Sequence, residues 1–67
     1  MKKFNIYINE SVWEKIATTN NLQSVKLIVE KLQKDKIERI MVIETDTIED
    51  TDNILPIREL MKTTKKN

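Results

Sequence analysis

The chain has 67 residues and contains no cysteine, no histidine and no glycine. That length allows one small domain with a marginal core. The missing residue types exclude disulfides, a nitrogen- or sulfur-ligated zinc site, nucleophile–imidazole catalysis and glycine-built phosphate loops. Twelve basic side chains nearly cancel eleven acidic ones, but the charges are segregated. Residues 1–43 hold eight basic and five acidic groups, residues 44–52 five acids and no base, and residues 53–67 four bases and one acid. Such a chain is read as a binding protein without catalytic residues, cofactor or metal. Small scaffolds without disulfides or metal commonly oligomerise, so a homodimer is expected.

Met1-Lys2-Lys3 leads into alternating residues and not into an apolar signal-peptide core. The longest apolar run, Ile40 to Ile43, is far too short for a membrane span, so a cytoplasmic location is expected. Ten isoleucines, ten lysines and six asparagines suggest an AT-rich coding genome, as in many phages and low-GC bacteria.

Residues 3–8, Lys-Phe-Asn-Ile-Tyr-Ile, alternate strictly. Phe4, Ile6 and Ile8 point one way and Lys3, Asn5 and Tyr7 the other, the pattern of a half-buried strand. Asn9 is a good N-cap and Glu10 suits a helix N-terminus. Val12, Trp13, Ile16 and Ala17 then follow helical spacing, so a first helix is expected to end at Thr18 to Asn21, with Trp13 in the core. Without glycine, Asn20 or Asn21 is the expected left-handed residue.

A second helix is expected from about Leu22 to Lys36, with Leu22, Val25, Ile28, Val29 and Leu32 in one apolar stripe. Leu27 lies nearly opposite that stripe. It is either a single exposed leucine or part of a second buried face between two protomers. Residues 38–45 form a second strand, apolar on both faces at its centre, which suggests cover on both sides. The acidic stretch Glu44 to Asp52 reads as a solvated loop. It lacks the glycine and the final glutamate of an EF-hand, so no calcium site is expected. A short helix starts near Pro56, with Ile57, Leu60 and Met61 on its apolar face. Thr63 to Asn67 are expected to fray.

This gives a small α+β chain of order β-α-α-β-α: a domain over 1–43 with a strand at 38–45, an acidic loop at 46–53, and a helix and tail over 54–67. The strand, helix and helix of residues 2–36 resemble the ribbon-helix-helix DNA-binding family, most closely over residues 2–34. The resemblance implies an intertwined homodimer whose strands pair into an antiparallel ribbon in the major groove. Lys3, Asn5 and Tyr7 would then read bases, with Lys2 and Ser24 also at the DNA. Lysine can donate to guanine and asparagine can pair bidentately with adenine. Asn21 to Ser24 would lie near a phosphate, as helix N-termini favour anions. The chain departs from the family in a first helix about one turn short, in lacking the inter-helix glycine, and in carrying Lys31 where a small residue is usual.

The implied function is a DNA-binding transcriptional regulator or antitoxin. The alternative is a phage-encoded or mobile-element inhibitor or adaptor that binds protein through the second strand's edge or the C-terminal helix. Its candidate contact residues are Leu27, Val42, Ile57, Leu60 and Met61. A second topology also remains open: residues 3–8 and 38–45 pair in one βααβ sheet with the helices on one face, which makes Lys3, Asn5 and Tyr7 its solvent side.

Overall fold

A computed structural model describes residues 1–61. The elements in order are β1 (Lys2–Asn9), β2 (Trp13–Thr19), α1 (Leu22–Lys34), β3 (Ile40–Asp46), β4 (Thr51–Leu55) and α2 (Ile57–Leu60). The strands form one antiparallel sheet in the order β2-β1-β3-β4. The chain is α+β, with α1 on one side of this sheet.

The first helix expected after Asn9 is a strand instead, and residues 51–55, expected as acidic loop and the start of the tail, form a further strand, so the order is β-β-α-β-β-α. A helix of some eight residues is marginal alone in water. The same residues, rich in Trp, Ile and Thr, complete a hairpin ladder with β1. The misleading spacing has a local cause. Ile6 pairs with Ala17 but Tyr7 pairs with Lys15, so Ile16 is an extra, bulged residue. A bulge shifts the phase of the alternation, and apolar residues at 13, 16 and 17 then mimic a helical stripe.

α1 starts at Asn21, whose Oδ1 accepts from the backbone N–H groups of Gln23 at 2.8 Å and Ser24 at 3.4 Å. Asn21 is extended, with φ −123°, and not left-handed as expected. The left-handed position falls at the other end of the helix, on Lys36 with φ 65°. There Lys36 N–H donates to the Gln33 carbonyl and Ile37 N–H to the Leu32 carbonyl, each at 3.0 Å. This is the Schellman arrangement, closed by a lysine in place of glycine.

Residues 40–46 pair with β1 on one side and β4 on the other. The β1–β3 pairing is the one foreseen in the second topology. The acidic segment is only partly a loop: Glu44 and Asp46 belong to β3 and Asp52 to β4, and residues 47–50 make the turn. Asp50 is left-handed there, φ 56°, a conformation aspartate tolerates better than most residues. Asp46 Oδ1 accepts from Ile48 N–H at 2.9 Å and Glu49 N–H at 3.2 Å, bracing the turn.

The core lies between α1 and one face of the sheet. Val25 and Val29 of α1 meet Phe4 and Ile6 of β1 and Val42 of β3. Ile57, Leu60 and Met61 pack against its margin, so α2 docks on its own domain. The expected fraying of Thr63 to Asn67 concerns positions outside the described residues. Among the described residues no helix is long and apolar enough to cross a membrane.

Candidate partner-binding face

Strand alternation divides the sheet into two unlike faces. On β1, Phe4, Ile6 and Ile8 are buried towards α1, so Lys3, Asn5, Tyr7 and Asn9 project from the other face. Register carries this across the sheet. Tyr7 pairs with Lys15 on one side and Met41 on the other. Asn5 pairs with Thr18 and Ile43, and Ile43 in turn with Ile54. Lys3 pairs with Thr45, and Thr45 with Asp52. Trp13 stands beside Asn9.

No element among the described residues covers this second face. A diagonal band of Trp13, Tyr7, Met41, Ile43 and Ile54 therefore crosses an open sheet. Trp13 is 46% exposed and Ile54 67%. Tyr7, Met41 and Ile43 are half-buried by their neighbours alone. Lys15 lies at one end of the band, and Lys3 and Asp52 at the other. The only side-chain hydrogen bond on the face runs from Thr18 Oγ1 to Asn5 Oδ1 at 2.8 Å, among the described residues. It holds the Asn5 amide in place and occupies one of its oxygen's acceptor positions.

Lys3, Asn5 and Tyr7 thus share one accessible surface, as the alternation implied. Lys2 does not join them. It alternates to the α1 side, where its Nζ lies 3.4 Å from Glu44 Oε2. Ser24 is also on the α1 side, and its N–H is already bonded to the Asn21 cap. The protein-binding candidates are not gathered on one accessible surface. Val42 is wholly buried at 0% exposure, because it pairs with Ile6 and faces α1. The edge of β3 is closed, with β1 on one side and β4 on the other. Ile57, Leu60 and Met61 are half-buried against the core. Leu27, 65% exposed, stands alone on the outer side of α1.

Trp13, Lys15, Met41, Ile43 and Ile54 were missed as site residues. One signal for part of the band was legible, the two-sided apolar centre of residues 40–43. Its expected second cover is absent among the described residues, and one side of that strand stays open.

On the α1 side, a shallow groove of about 270 Å³ runs beside α2, walled by Leu22, Leu55, Leu60, Glu44 and Glu59. Asp46 is held below the usual aspartate range. The hydrogen bonds from Glu49 and Ile48 N–H are the main cause, with help from the Met1 ammonium, 3.5 Å away. Among the described residues no three His, Cys, Asp or Glu side chains are grouped to hold a metal.

The chain matches no family model, no curated protein and no solved structure.

Proposed function

We propose that the protein is a small non-catalytic binding module that docks another protein on the open face of its sheet. The observation that carries this is the apolar band from Trp13 to Ile54 on an uncovered face. Interface cores are rich in tryptophan, tyrosine and methionine and poor in charge. Four strands about 4.8 Å apart and about seven residues long give a planar footprint on the order of 450 Å². A contiguous apolar band within a face of that size is often functional on the surface of a monomer. The face, and not the β3 edge or α2, is then the adaptor surface.

Nucleic acid is the second reading, favoured by Lys3, Asn5, Tyr7, Trp13 and Lys15 lying together on the β1–β2 half. Magnitudes place it second. Two lysines against Asp52 give a weak electrostatic term, which is the main source of non-specific affinity. For duplex DNA the fit is also poor. The outer strand axes lie about 14 Å apart, whereas the major groove is about 12 Å wide. An intertwined ribbon would further require β1 to leave β2 or β3, since both its edges are paired. A single strand stacking on Tyr7 and Trp13 avoids both obstacles, and a regulator or antitoxin would then act through that contact.

The test is affinity capture from the source cell's lysate with immobilised full-length protein. Wild type and Leu27→Lys should retain the same protein, and Ile43→Lys and Ile54→Lys should lose it. Capture that survives both face substitutions removes the basis of the proposal. In parallel, Trp13 fluorescence titrated with single-stranded oligonucleotides decides the second reading. That reading expects quenching with a log–log salt slope of about −1.4, for two phosphates neutralised.

A further inference from the structure

We infer that the open face is covered by the same face of a second copy of this chain, about a two-fold axis that runs parallel to the strands between β1 and β3. This rests on the reading that the face docks protein, and it names the protein.

The register selects the axis. Lys3 and Asp52 occupy the same level of the sheet, on β1 and β4, with Thr45 of β3 between them. Two strand spacings, roughly 10 Å, separate them, and their side chains project side by side. They form no ion pair within the chain. A two-fold axis parallel to the strands exchanges the two halves of the sheet. Each Lys3 then points across the interface towards the partner's Asp52, one strand spacing to the side and about 10 Å away between sheets. A lysine side chain reaching towards a carboxylate spans that gap. The same operation lays Tyr7 over the partner's Met41, a favourable sulfur–aromatic contact, and Thr18 over the partner's Ile54. A two-fold axis perpendicular to the strands would bring Lys3 towards Asn9 and leave both charges without partners. Complementarity of charge and apolar surface under one operator is what a self-complementary interface requires.

The shape agrees. The molecule is a slab of 37 × 34 × 16 Å, a single sheet backed by one helix layer. Among the described residues only Ile6, Val25, Val29 and Val42 are fully buried larger side chains. Stacking two slabs converts a one-sided core into a two-sided one, with Met41 and Ile43 at the centre of the new layer. Two footprints of about 450 Å² give about 900 Å² in all before side-chain relief is counted, near the lower limit for specific association. The dimer is therefore expected to dissociate in the micromolar range.

Sedimentation velocity across a concentration series, with the full chain, tests this directly. Wild type should shift from monomer to dimer with rising concentration. Ile54→Lys, at a position already largely solvent-exposed, should weaken the dimer by at least tenfold while far-UV circular dichroism stays unchanged. Lys3→Asp and Asp52→Lys should each weaken it several-fold, and the double exchange should restore it, because the two sites meet only across the interface. A dimer unaffected by Ile54→Lys, or a double exchange no better than its singles, overturns the proposal. A wild type that stays monomeric also overturns it. If Ile54→Lys then still abolishes capture of a different protein, the docking reading stands without self-association. If such a monomer instead binds single-stranded oligonucleotide with quenching of Trp13, the docking reading falls too.

Discussion

Lys36 shows how a chain without glycine ends a helix. Its φ of 65° closes the Schellman turn after α1, and a residue with a Cβ pays roughly 1 kcal/mol or more for that conformation. Lys36→Gly should therefore stabilise the fold by about 0.5–1 kcal/mol, since the relief is partly offset by glycine's greater unfolded-state entropy. Urea unfolding followed by circular dichroism measures it, and a loss of stability would contradict the assigned turn. At the N-terminal end, Asn21→Ala removes an acceptor for two backbone donors and should cost about 1 kcal/mol. Asp46 contributes a pH dependence. Its carboxylate is bonded in the fold and its pKa is lowered, so its stabilising contribution is complete above the unfolded aspartate value. That contribution is lost as pH falls through the still lower folded value. Stability should decline in this acidic window, and Asp46→Asn should flatten the decline in pH-dependent unfolding curves.

Among the elements, β1 is the keel. It pairs with β2 and β3 and presents Phe4, Ile6 and Ile8 to α1. Ile6 is fully buried against both the helix and Val42. Ile6→Ala should cost about 2–5 kcal/mol. A chain of this size is stable by only about 3–10 kcal/mol at ordinary per-residue values, so the variant should lose a large share of its stability and unfold at a markedly lower temperature by circular dichroism. The β1 alternation, the α1 stripe, the β3 strand and the short α2 were all legible, because each is a local pattern that the packing follows; the Asn21 cap was not, since that residue was expected to be left-handed. β2 was not. Its bulge at Ile16 disguised a strand as a helical stripe, and only the free edge of β1 made the strand the better solution.

For the whole molecule, the decisive fact is that α1 covers one face of the sheet and no described element covers the other. The two-sided apolar character of β3 then has half its explanation inside the chain, in Val42. The other half, Met41 and Ile43, lies on the open side. The same arrangement closes the edges of both β1 and β3. On the proposed reading, partner recognition lies not at the edges of β1 and β3, where pairing would be through the backbone, but on a face, where it is through side chains. Partner specificity should consequently respond to substitutions at Trp13, Ile43 and Ile54 and be indifferent to Leu27, a contrast that the capture experiment reads directly.

The sequence by itself determined an α+β chain with strands at residues 3–8 and 38–45. It also determined a helix beginning at about Leu22, and an outward row of Lys3, Asn5 and Tyr7. Period-two alternation and helical periodicity act over a few residues and survive in any packing that buries the apolar side. The tertiary structure decided that residues 13–19 complete a hairpin, that Val42 belongs to the core, and that α2 folds back onto its own domain. It also decided that Tyr7 shares a face with Trp13, Met41, Ile43 and Ile54. These depend on strand order and register, which are set by competition between distant segments for the same hydrogen bonds and the same small core.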